Sequence, residues 1–202
     1  YAQTGAKVGA ERVVSKTVMK RMISSPSIAA ITGGFVVVWP SAAAATGNPI
    51  IDGQRLTTAG ALSGTEFAIT SASFAQQDPV VAGTADGGFA VAWTSLKQDG
   101  SGAGVFAQLY KATGAKAGAT FRANTAVAAD QAEPAISARP GGGITIAWTS
   151  TNQDGSGKGV YAKRYAPTSA ALDVEFRLNT TTAGDQFQPA LAIANGNDFV
   201  AT

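Results

Sequence analysis

Two short loops hold the residues best suited to gripping an ion or a ligand. Gln98-Asp99-Gly100-Ser101-Gly102 and Gln153-Asp154-Gly155-Ser156-Gly157 each set one carboxylate, one hydroxyl and exposed carbonyls in a tight turn. Calcium takes about six to eight oxygens, usually with more than one carboxylate. Asp99, Ser101, Asp154 and Ser156 are therefore candidate metal ligands, each loop requiring a second acid from elsewhere in the fold. The plainer reading, and the favoured one, is that Asp99 and Asp154 accept backbone N–H groups in Asx turns while the glycines supply positive φ. Gln98 and Gln153 head these loops and are candidates for a ligand rim.

A second recurring set precedes prolines. Asp130-Gln131 stands before Pro134 and Asp185-Gln186 before Pro189, with Gln76 placed likewise before Pro79. Their expected work is to pin a connection between repeats through amide hydrogen bonds, a ligand rim being the alternative. Trp93 and Trp148 end apolar runs and are expected to anchor the core rather than stack on a sugar. With no histidine and no cysteine there is no conventional nucleophile–base pair. The 13 acids are spread along the chain, and no adjacent pair nominates itself for glycoside hydrolysis. No catalytic residue is assigned, and the expectation is a chain that is not an enzyme.

These residues are positioned by an internal repeat. Trp39, Trp93 and Trp148 are 54 and 55 residues apart, and so are Phe67, Phe121 and Phe176. Pro26, Pro79, Pro134 and Pro189 step by 53, 55 and 55. Three residue types keeping one period point to a propeller, solenoid or array. Each unit reads as a four-strand meander: a strand entered by proline, a strand ending in tryptophan, an alternating aromatic strand, and a strand carrying phenylalanine. A blade sandwiched between neighbours has middle strands apolar on both faces, whereas a sandwich strand alternates. Phe35–Trp39 and Phe89–Trp93 are nearly continuous apolar runs.

The expected fold is thus all-β, a β-propeller-like array of four four-stranded antiparallel repeats, with tandem β-sandwiches or an open β-solenoid as alternatives. Residues 1–202 form one repeat domain, with units at 25–77, 78–132 and 133–187. A fourth unit joins 1–24 to 188–202, its inner strands from the C-terminal end and its outer strand from residues 8–16. Glu11–Val14 is expected as strand, in preference to a basic helix over 11–24.

Composition removes several classes of function. The net charge is only +2 and basic residues are scattered, so no polyanion-binding stripe exists and nucleic acid is not an expected partner. Without cysteine there is no disulfide framework. No apolar run approaches the roughly 18 residues of a membrane span. The opening at Tyr1, without initiator Met or signal peptide, suggests a processed or excised piece.

Asp86–Trp93, Gln98–Gln108 and Asn179–Pro189 together resemble repeats of very large secreted bacterial proteins of the RTX-associated, calcium-binding adhesin type. The resemblance spans nearly the whole chain and implies an exported or cell-surface protein, with Ca2+ as the associated ion. Two departures limit it: the glycine-rich calcium nonapeptide is absent, and residues 40–50 have lost the Gln-Asp-Gly-Ser-Gly loop. The loops also resemble the aspartate boxes of sialidase propellers, with the Asp-to-Gly spacing one residue off. The leading expectation is a structural or adhesive module, its partners a surface glycan or other repeats of a parent protein. The alternative is a carbohydrate-binding, lectin-like propeller using equivalent loops of each blade.

Overall fold

The computed structural model describes residues 9–15, 25–42, 47–194 and 198–202, together with Thr4. It is an all-β propeller-like array. Blade one comprises β1 (Ser27–Ile31), β2 (Gly34–Ser41), β3 (Ile50–Thr57) and β4 (Leu62–Ala68). Blade two comprises β5 (Gln76–Gly83), β6 (Phe89–Leu96), β7 (Ala103–Tyr110) and β8 (Lys116–Arg122). Blade three comprises β9 (Gln131–Ala138), β10 (Ile144–Thr151), β11 (Lys158–Tyr165) and the short β12 (Phe176–Arg177). Each is an antiparallel meander in chain order, and β13 (Leu191–Ile193) pairs with β14 (Phe199–Ala201) as a further two-stranded sheet.

Glycine closes the hairpins where no side chain fits. A Cβ on Gly143 (φ 81°) would lie 2.1 Å from the Tyr165 carbonyl oxygen, and one on Gly88 would lie 2.1 Å from that of Tyr110. The first strands of successive blades pack side by side, β1 with β5, β5 with β9 and β9 with β13. Gly83 permits one such approach, since a Cβ there would come within 2.0 Å of the Ala30 carbonyl oxygen.

The middle strands explain the apolar runs. All eight residues of β7 are buried, as are the first seven of β6 and of β10. Both faces of these strands meet protein because cores lie on either side. One core joins Val36, Val38 and Ile51 of blade one to Phe89, Val91 and Trp93 of blade two. The next joins Ala90, Val105 and Leu109 of blade two to Ile144, Ile146 and Trp148 of blade three. In β2, by contrast, Phe35 and Val37 are only half-buried, because among the described residues a blade covers that sheet on one face only.

Two local expectations need correction. Residues 10–15 carry no strand, and Val13 is 81% exposed; residues 16–24 lie outside the described residues. The prolines are not all at strand entries either. Pro79 and Pro134 are the fourth residues of β5 and β9, inside the bulges that shift register between Gln77 and Val80 and between Ala147 and Thr149. The bulge takes the proline out of the ladder, so its missing N–H costs nothing there.

Candidate functional site

The antiparallel order brings the start of each first strand, the end of each second strand and the loop after it to one face. Gln76 at the start of β5 opposes Ser95 near the end of β6, and Gln131 opposes Ser150. On this face the connection leaving one blade passes the loop of the next, and a cavity opens at each junction. The first, about 370 Å³, is lined by Ser71, Ser73 and Phe74 of the connection, Gln76, Trp93 and Gln98, and Lys116 and Thr120 of β8. The second, about 520 Å³, has matching parts: Thr125 and Ala126 of the connection, Gln153 of the loop, and Glu175 beside β12, with Lys163 and Asp173. A third, about 660 Å³, lies between blade three and the β13–β14 sheet, against Asn179, Asp185, Gln186, Phe187 and Phe199.

Gln98 and Gln153 are held alike. The Gln98 Oε1 accepts from the Ser95 hydroxyl at 2.7 Å, and the Gln153 Oε1 from the Ser150 hydroxyl at 2.6 Å. The amide ends differ. Gln153 Nε2 donates to Glu175, whose other oxygen accepts the Thr125 N–H at 2.5 Å. In blade two Thr120 occupies the place of Glu175, and its hydroxyl turns instead to Gln108 at 2.9 Å.

The Asp loops fold on themselves. Ser101 N–H donates to Asp99 Oδ1 and Ser156 N–H to Asp154 Oδ1, each at 3.2 Å, the geometry of an Asx turn. Ser101 and Ser156 enter through their backbone. No group of three or more acidic, cysteine or histidine side chains suited to a metal occurs among the described residues. Asp130 and Asp185 accept the Ala103 and Lys158 N–H groups at 2.8 and 2.9 Å. The Gln131 and Gln186 amides reach Ala128 and Ala183 carbonyls, and both accept from the Asn124 or Asn179 amide. These four residues fasten the connection to the next blade; Asp185 and Gln186 also line the third cavity.

A second constellation, not singled out from the sequence, sits at the inner strands. Asp78, Glu133 and Gln188 each precede a proline and hold φ of 51°, 55° and 55°, a left-handed conformation uncommon outside glycine. Thr94 interacts with the Asp78 carboxylate and accepts the Glu133 N–H at 3.2 Å. Thr149 donates to Glu133 Oε2 at 2.8 Å and accepts the Gln188 N–H at 3.0 Å. Each threonine thus clasps its own blade to the next. Burial pushes the Asp78 carboxyl above its ordinary range, opposed by the Thr94 hydrogen bond and reinforced by the negative charge of Glu133. The repeated Trp-Thr dipeptide at 93–94 and 148–149 was the available signal.

No family model and no curated protein matches this sequence. Among solved structures, the endo-arabinase of Bacteroides thetaiotaomicron superposes with a TM-score of 0.60 at 12% identity, over 94% of this chain and 73% of that one. A subtype N10 neuraminidase-like protein of A/little yellow-shouldered bat/Guatemala/060/2010 superposes with a TM-score of 0.52 at 9% identity, over 87% of this chain and 50% of that one. Both likenesses are of fold, and both place the chain among β-propellers. They overturn the expectation that the chain is not an enzyme: the shared fold is that of an endo-arabinase, and glycosidic chemistry runs on carboxylates without imidazole or thiol. The sequence argument sought acids adjacent along the chain, whereas the fold sets Asp78 and Glu133, from different blades, within electrostatic reach.

Proposed function

We propose that this chain is a carbohydrate-binding β-propeller that takes glycan at the cavities between its blades. The observation that carries this reading is the repetition of one set of parts at two junctions: a loop glutamine, a hydroxyl-bearing connection and a polar residue in or beside the fourth strand. Sugars offer hydroxyls in pairs and an apolar ring face. Fixed amides and hydroxyls beside Phe74 match both at the first junction, and both cavities fall within the range of roughly 300–1,000 Å³ that holds small ligands. The carbohydrate-active names of the two fold neighbours weigh the same way. Screening the protein on a glycan array, followed by calorimetry on the strongest hit, tests it. A Gln98→Ala, Gln153→Ala double variant that folds should lose binding about tenfold or more. A flat array, or a hit unaffected by the double variant, sinks the reading.

A second reading, glycosidic cleavage, is favoured by Asp78. A carboxyl whose pKa is raised by burial, beside a second acid, is the pairing a general acid needs. Reducing-sugar release from arabinan or a sialylated glycan, abolished by Asp78→Asn and by Glu133→Gln, would support it. No release from either substrate would set it aside.

A further inference from the structure

We infer that the cavity between blades one and two selects an acidic sugar residue, one bearing a carboxylate, while the cavity between blades two and three does not. This rests on the carbohydrate reading and adds a ligand class to one of its sites. The two cavities share a plan but differ in what their polar groups have left to give.

At the second junction the polar groups largely satisfy one another. The Gln153 amide donates to Glu175, Glu175 also accepts from Thr125, Asp173 pairs with Arg164, and Lys163 Nζ donates to the Thr125 hydroxyl at 3.2 Å. Its charged lining, Lys163 against Asp173 and Glu175, is net negative. A carboxylate entering there would meet two of its own kind.

At the first junction Lys116 is the only charged lining residue among those described. Its ammonium donates to the Ile69 carbonyl at 3.3 Å, which leaves two of its three N–H groups for a ligand. Thr120 stands where Glu175 would be, and among the described residues none accepts from the Gln98 amide N–H groups. Deeper in, Trp93 is 1% exposed and its indole N–H has no acceptor. Gln76 is 3% exposed; its amide nitrogen donates to the Phe74 carbonyl at 3.0 Å, but its Oε1 has no donor. Buried polar atoms are nearly always paired, and leaving them unpaired is costly. The Gln98 amide and the Lys116 ammonium are two donors at one opening, with an acceptor at Gln76 behind them; the Trp93 indole N–H is unpaired just as those of Trp39 and Trp148 are, and does not distinguish this junction. That set matches a carboxylate with a neighbouring hydroxyl: the anion takes the donors and the hydroxyl supplies Gln76 Oε1.

The test uses two oligosaccharides of equal length, one ending in glucuronic acid and one in glucose, titrated calorimetrically into the full chain. The glucuronic acid probe should bind at least about tenfold more tightly, and the advantage should shrink with added salt. Lys116→Gln keeps hydrogen-bonding capacity but removes the charge, so it should abolish the preference while circular dichroism and melting stay unchanged. Gln98→Ala should weaken the acidic probe, and Gln153→Ala should not. Equal affinity for the two probes overturns this inference and leaves the carbohydrate reading standing. A preference for the acidic probe that survives both Lys116→Gln and Gln98→Ala overturns the assignment to this cavity. Binding of neither probe, with a flat glycan array, removes both readings together.

Discussion

Residues in equivalent positions of successive blades have unlike partners, and those differences are where single substitutions inform most. Tyr165 donates its hydroxyl to the Ala123 carbonyl of the preceding blade at 2.6 Å, whereas Tyr110, stacked on Phe89 with ring centroids 4.5 Å apart, has a buried hydroxyl without a partner. Burial raises both phenol pKa values, so both stay protonated. Tyr165→Phe should therefore destabilise by about 1–2 kcal/mol, and Tyr110→Phe by about zero or slightly less, in paired urea titrations. Asp78 makes a pH prediction. Its pKa in the fold lies above the unfolded value of 3.8, so the folded protein holds the proton more tightly. That contribution to stability is complete below the unfolded value and is lost as pH rises through the folded one. Asp78→Asn should melt above wild type at pH 7, and the gap should close as pH falls below about 3.8. A gap that widens on acidification contradicts the assignment. None of this was legible beforehand, because Asp78 is unremarkable in sequence and acquires its burial and its neighbour Glu133 only from an adjoining blade.

At the scale of strands and connections, the sequence was informative wherever local spacing decides structure. Gly142-Gly143 and Gly87-Gly88 mark hairpins, the runs to tryptophan mark second strands, though each strand continues two or three residues past it, and Gln131 and Gln186 bond into the connections. It misplaced the prolines because a bulge is set by pairing across strands, and the left-handed residues before Pro79 and Pro134 are stabilised from outside their own strand. It also missed Gln108, whose amide bonds the Leu109 and Gly118 carbonyls at 2.9 and 3.1 Å across an irregular stretch of the β7–β8 ladder. The threonine clasp is testable here. Thr149→Val removes the hydroxyl shared by Glu133 and Gln188 and should cost about 1–3 kcal/mol by denaturant unfolding, while Thr149→Ser should recover most of it. A Thr149→Val variant as stable as wild type, with Thr149→Ser the destabilised one, would show that the methyl group's packing, not the hydroxyl, does the fastening.

For the molecule as a whole, blades are held by what they bury against each other. Trp93 belongs to the core between blades one and two, and Trp148 to the core between blades two and three. Trp148→Ala should cost about 3–5 kcal/mol; a folded, equally stable variant would contradict its role as an anchor. The period of tryptophan, proline and phenylalanine made this architecture readable, since blades repeat their buried faces. The cavities were half readable: the loop glutamines repeat, but Lys116 and Glu175 diverge at positions that matter only once the connection of another blade is laid over them. The most direct measurement follows the three tryptophan indole N–H signals by nitrogen–proton correlation NMR during titration with glucuronic acid-ended and glucose-ended oligosaccharides. Binding between blades one and two predicts that Trp93, a buried residue of that cavity's lining, shifts in a saturable way while Trp39 and Trp148 stay in place. No shift at Trp93 with either sugar, or equal movement of all three signals, would contradict it.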